Sequence, residues 1–349
     1  MSFDKPQNLE WISNLRFLSL LAVIVLHTSA VLLAQYGKVP LNEWLTADVF
    51  NAMVRFAVPV FVMITGALNL HRDYELNDFL KRRLSRIVTP FLFWSLVYIG
   101  YSWYNEEISF DNDTWANAKL ILHQLKYGSS YHLWYVYMLI GLYLIMPIIS
   151  KFVRAATKKE LLYFLLIWLA VMLLEQPYLS RYKPQVELRY FEGYIGYLVL
   201  GHYLSTTAFK QRYLRSLMLL LFLGMVMVIT VGTYLVTKYN YSVTTVFYEP
   251  LGPFVVCLSG SLFVFFKYRT VNLPAFLIKV RDFTGQYAYG VYLGHALILY
   301  LLDLWFNISY KLYAPIISIP LTAVLCMVIS VVMIWLLNKL PYIGKYIAG

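Results

Sequence analysis

Ten runs of mostly apolar residues punctuate this chain, most of them near the roughly 20 residues an α-helix needs to cross a bilayer's hydrocarbon core. They are Trp11–Ala34, Ala47–Leu70, Arg86–Tyr104, His132–Ser150, Leu161–Leu174, Phe191–Thr207, Leu214–Val236, Leu251–Phe266, Gln286–Phe306 and Ala314–Asn338. The fifth and eighth are short for a full crossing. The rest of the composition agrees: 60% of the 349 residues are hydrophobic and only 13% are charged, where soluble domains carry about a quarter. Mean hydropathy is +0.62. A secreted disulfide scaffold, a disordered chain and a soluble enzyme with one buried core are excluded. The expectation is an all-α polytopic membrane protein of about ten transmembrane helices, a single membrane domain over 1–349 without an appended soluble domain.

Charge tests the partition. Loops counted alternately place twenty of the 29 Lys and Arg on one side and eight on the other, with Arg55 alone inside a span. Cytoplasmic loops carry the excess of Lys and Arg, so both termini are expected in the cytoplasm, with the protein multi-pass in the cell's inner membrane. The net charge of +11 is then an inner face meeting anionic lipid headgroups, and nucleic acid is not an expected partner. Cys257 and Cys326 lie inside apolar runs and read as neither disulfide nor metal site. The polar start followed by an apolar run without a small-residue cleavage pattern reads as a retained first span.

Ionisable residues at bilayer depth cost roughly 2.5–3.5 kcal/mol on insertion scales, so four residues stand out. Arg16 lies at the inner edge of the first span and His27 inside it, Arg55 is in the second and His295 in the ninth. Eleven residues of helix put His27 about 16 Å beyond Arg16, on nearly the same face. Arg16 alone is satisfied by an anchoring role, whereas an imidazole in mid-membrane accepts or donates protons near neutral pH. By depth alone either histidine qualifies as catalytic. Arg55 has no carboxylate neighbour in its own span on this reading, and Pro59 with Gly66 is expected to loosen that helix. The run Lys81-Arg82-Arg83-Leu84-Ser85-Arg86 is either a topology signal or a clamp for an anionic ligand, since guanidinium binds phosphate bidentately. Tyr131, His132 and Trp134, at the outer end of the fourth span, form either an interfacial aromatic belt or a stacking platform for sugar rings. No HExxH, CxxC, GxSxG or Gly-rich phosphate loop occurs, and no metal site is expected.

Taken together these residues resemble the acyltransferase-3 family of integral-membrane O-acyltransferases. The matching features are Arg16 with His27, Arg55 with the run to Gly66, Arg83-Leu84-Ser85-Arg86, Tyr131-His132-Leu133-Trp134, and Gly290-Val291-Tyr292 with His295. Thr65 stands where the family usually has Ser. Within the family the chain looks most like stand-alone members that O-acetylate surface polysaccharide such as enterobacterial common antigen. The resemblance implies a cytoplasmic acyl-CoA donor, with acetyl-CoA or another short acyl-CoA as co-substrate and no permanently bound cofactor. It also implies an acceptor hydroxyl on a surface polysaccharide or lipid-linked glycan at the outer side. On that basis Arg16, Arg83 and Arg86 bind donor and Tyr131, His132 and Trp134 bind acceptor. His27 is general base or acyl carrier, Arg55 stabilises the oxyanion, and His295 orients the acceptor. The rival reading is an exporter of envelope polysaccharide or glycolipid. That reading predicts broken helices at matching positions of two halves, and the sequence shows no convincing internal repeat.

Overall fold

In the computed structural model, residues 9–179, 182, 189–209, 212–269 and 273–349 are described, and among them there is no β-strand. Lys5, Arg181, Lys183 and Lys210, four of the basic residues in the sidedness tally, lie outside the described residues. The helices are α1 (Glu10–Leu33), α2 (Leu41–Val54), α3 (Ala57–Asn69), α4 (Leu76–Tyr104), α5 (Thr114–Tyr127), α6 (Trp134–Ala155) and α7 (Lys158–Leu174). They continue with α8 (Ile195–Thr206), α9 (Leu214–Asn240), α10 (Pro253–Lys267), α11 (Ala275–Gln286), α12 (Ala288–Phe306), α13 (Pro315–Asn338) and α14 (Gly344–Ile347).

The chain is an all-α polytopic membrane protein. Every expected span contains helix, and among the described residues eight stretches are long and apolar enough to cross a membrane. The expected fifth and sixth spans are α7, with 17 residues, and α8, with 12. At 1.5 Å per residue, α8 covers about 18 Å of a hydrocarbon core about 30 Å thick. The sequence pattern missed α5 and α11, both read as loop, because neither is apolar throughout.

Two compact units are distinguishable: residues 1–73, 148–286 and 307–324 make the first, and residues 74–147, 287–306 and 325–349 the second. In the first unit α1 packs on α2 and α3, and α3 on α8. The last contact is backbone to backbone: a Cβ on Gly66 would lie 2.0 Å from the Leu198 carbonyl oxygen, and one on Gly201 would lie 2.0 Å from that of Met63. Gly66 therefore serves close helix approach, as small residues do between membrane helices, rather than loosening α3. Trp44 is fully buried and donates its indole N–H to the Leu33 carbonyl at 2.7 Å, satisfying an acceptor that the end of α1 leaves without a helical partner. At the start of α7, Thr157 and Glu160 form a reciprocal capping box, which pins that helix's first turn.

The second unit is tied by bonds far apart in sequence. Trp94 of α4 donates to the Ile347 carbonyl of α14 at 3.1 Å, and Tyr289 of α12 donates to that of Ile87 at 2.8 Å. Trp94, Tyr98, Leu133, Val291, Leu293 and Ile334 form its buried core.

Candidate active site

The second span breaks at Arg55. Helix α2 ends at Val54 and α3 begins at Ala57, so Arg55 and Phe56 form a turn inside one apolar stretch, Leu41–Asn69. The cause is Pro59, which lacks the N–H that the Arg55 carbonyl would bond and whose ring crowds that carbonyl. The sequence places the weakness at Pro59; the structure shows it four residues upstream.

Arg55 leaves that turn into a network of the first unit. Its guanidinium donates to the Asn51 side-chain oxygen and lies 4.1 Å from the centre of the Tyr248 ring, within cation–π range. The Tyr248 hydroxyl donates to the carboxylate of Asp48. Asn51 donates to the Leu26 carbonyl at 3.2 Å and to the Ser29 hydroxyl at 2.9 Å, on either side of His27. Arg55 is thus one hydrogen-bonded residue away from the turn of α1 that carries the imidazole. His27 itself is half-buried. Asp48 and Asn51 are fully buried, and the Arg55 Nε–H and one Asp48 carboxylate oxygen have no hydrogen-bond partner among the described residues.

This corrects the expectation that Arg55 has no carboxylate in its own span. Asp48 lies seven residues earlier, and Tyr248 links the two. The signal was present: residues four and seven apart share a helix face, which puts Asp48 and Asn51 on the side of Arg55. Tyr248, in a 3₁₀ turn before α10, gave no sequence signal.

In the second unit His132 and His295 meet, ring centres 5.0 Å apart and edge to face, and both are fully buried. The Leu293 carbonyl accepts from His132 Nε2 at 3.2 Å and from the Tyr98 hydroxyl at 2.8 Å. The Tyr98 hydroxyl also accepts from the Leu297 amide at 3.2 Å. Leu293 and Leu297 are a pair that an α-helix bonds directly, so a side chain from α4 shares α12's ladder at the turn that carries His295. His295 donates from Nδ1 to the Tyr292 carbonyl at 2.6 Å, and the Tyr292 hydroxyl donates to the His132 carbonyl. Donation to carbonyls places a proton on His132 Nε2 and on His295 Nδ1; the Ser130 hydroxyl is hydrogen-bonded to His132 Nδ1, 3.1 Å away. Cys326 donates its thiol to the His295 carbonyl at 3.3 Å.

The other expected site residues divide between the units. Arg16 is half-buried on α1, and the unbroken helix from Glu10 to Leu33 keeps it on the stripe of His27. Arg83 is half-buried and Arg86 exposed, one turn apart near the start of α4, which extends ten residues before the expected span. Tyr131 and Trp134 are 51% and 44% exposed, whereas His132 between them points into the core. Thr65 bonds its own helix, donating to the Phe61 carbonyl at 2.9 Å.

Chemically, the first unit offers an imidazole on the turn to which a guanidinium is anchored through Asn51, with the guanidinium Nε–H unpartnered among the described residues. The second offers two imidazoles walled by tyrosines. Among the described residues no group of His, Cys, Asp and Glu is arranged to hold a metal. Comparison with curated proteins and with solved structures finds no match. The family model for the acyltransferase domain of the acyltransferase-3 family matches residues 9–337. A match over nearly the whole chain makes this protein a member of the acyltransferase-3 family, a multi-pass membrane acyltransferase.

Proposed function

We propose that the protein carries an acyl group, acetyl foremost, from cytoplasmic acyl-CoA to a hydroxyl of a surface polysaccharide or lipid-linked glycan on the outer side of the cell's inner membrane. The observation that carries this reading is the anchoring of Arg55 to the His27 turn of α1 through Asn51. A base and an oxyanion-stabilising cation are the two groups that acyl transfer to a hydroxyl needs. The stripe from Arg16 to His27, about 16 Å of helix, matches the reach of a thin pantetheine arm whose phosphates stay at the inner face.

In the proposed reaction His27 takes the proton of the acceptor hydroxyl as its oxygen attacks the thioester carbonyl. The tetrahedral oxyanion is met by the guanidinium of Arg55, whose Nε–H is the buried donor left over. Collapse breaks the carbon–sulfur bond, and the departing CoA thiolate recovers the proton from His27. Arg16, Arg83 and Arg86 bind donor phosphates. His295 orients the acceptor and Tyr131 and Trp134 bind it, with the buried His132 behind them, joined to their wall through Ser130.

The test supplies radiolabelled acetyl-CoA to inside-out membrane vesicles from cells expressing the chain. Label is expected in the lumenal glycan fraction. Acetyl-CoA left intact while vesicles lacking the chain behave the same would overturn the reading.

A further inference from the structure

Beside the buried histidines of the second unit lies a cavity of about 400 Å³, within the roughly 300–1,000 Å³ of small-molecule sites. It forms where the segment after α4 meets the end of α5 and the start of α6. Helix α5 stops at Gly128, whose φ of +107° is a conformation that residues with a side chain rarely adopt. That turn sends Ser129, Ser130 and Tyr131 back along the cavity wall. Tyr137 secures the corner by donating to the Leu125 carbonyl.

The lining has two chemistries. Tyr127, Tyr131 and Trp134 supply aromatic surface, and these residues are 67%, 51% and 44% exposed. Glu107, Gln124 and Ser129 supply hydrogen-bonding groups. The Glu107 carboxylate receives the Ser102 hydroxyl at 2.7 Å, which holds it in place and leaves further lone pairs to accept. The Ser129 hydroxyl is buried without a hydrogen-bond partner among the described residues, a group that a ligand would satisfy. Aromatic surface beside fixed polar acceptors suits a pyranose, whose C–H face is apolar and whose hydroxyls lie around its edge. One feature discriminates: a carboxylate on the ring would lie beside Glu107, and like charges at short range repel.

We infer that this cavity holds one sugar ring of the acceptor glycan, and that the ring carries no carboxylate or phosphate. The inference rests on the proposed glycan acylation and adds to it the acceptor subsite and its charge selectivity. Ser130 joins this wall to the interior, because it lines the cavity and its hydroxyl bonds His132.

Sugar binding is measured without acyl donor, by saturation-transfer NMR on the full chain in lipid nanodiscs. The probes are methyl β-glucoside, methyl β-N-acetylglucosaminide and methyl β-glucuronide. Both neutral glycosides are expected to bind and the glucuronide to give a signal about fivefold weaker. Trp134→Ala is expected to lower the neutral signals about fivefold, with Trp134→Phe retaining most of them. Glu107→Gln is expected to erase the discrimination against the glucuronide. Helical circular dichroism and thermal unfolding of each variant separate a lost site from a lost fold. Equal binding of all three probes to the parent chain, no binding of the neutral ones, or indifference to Trp134→Ala overturns the inference. Sugar binding here without acetyl transfer defeats the proposed function alone; transfer without sugar binding defeats only this subsite.

Discussion

Both clusters of buried polar groups sit at a marked turn of a membrane helix, one broken and one continuous, and the two differ in origin. In the first unit Pro59 withdraws a backbone donor, and the helix stops for two residues at Arg55. In the second unit α12 is continuous, and the Tyr98 hydroxyl bonds both the Leu293 carbonyl and the Leu297 amide. The first device is covalent and local, and it delivers a fixed cation to a network with an acid, an amide and a phenol. The second is built by a side chain some two hundred residues away, and it delivers imidazoles held by carbonyls. Developing negative charge is best met by preorganised charge in a dry site. In the proposed reaction, bond breaking therefore falls to the first unit and acceptor handling to the second.

The largest expected loss therefore lies at His27: His27→Ala should lower acyl transfer about a thousandfold, the range of a positioned base, while the protein still enters the membrane. Arg55→Gln is expected to lower kcat by about 10²–10³ with donor KM little changed, as for removal of an oxyanion donor. An unchanged kcat would return Arg55 to a packing role. Pro59→Ala restores the donor for the Arg55 carbonyl and so repairs the break. We expect thermal stability equal or higher and turnover about tenfold lower, the sign of a misaimed group; a repaired helix with full activity breaks the comparison. Arg83→Ala and Arg86→Ala should raise donor KM about tenfold each, the worth of a charge-assisted phosphate contact, and unchanged donor affinity in both leaves them as topology signals. The smallest effect belongs to Tyr98→Phe. His132 still donates to the Leu293 carbonyl, so a loss of about 1 kcal/mol is expected, read from thermal unfolding in detergent.

The two regions also differ in how far they were legible. Helix positions follow from apolar length, a one-dimensional property, and the all-α membrane architecture was therefore readable. His27, Arg55 and Pro59 were readable because charge and proline in an apolar run are locally anomalous. Asp48 and Asn51 share that helix face but are not anomalous locally, since Asp48 stands at the start of the expected span and Asn51 carries no charge. Tyr248, Tyr98 and the pairing of His132 with His295 depend on contacts across some 160 to 200 residues. The chain holds 31 tyrosines, and nothing in their spacing marks these two. The segment 131–134 is legible in sequence as aromatic, but only folding separates His132, turned inward, from Tyr131 and Trp134 at the cavity.

The assignment of chemistry to the first unit is tested most directly by comparing His27→Ala with His295→Ala in the same vesicles, following release of CoA from radiolabelled acetyl-CoA in a single turnover. CoA release is predicted to fall to background in His27→Ala. In His295→Ala release should be slowed yet remain above background and recover as acceptor is raised, with label reaching the glycan in step with it. Undiminished release by His27→Ala, or its disappearance in His295→Ala alone, would contradict the assignment.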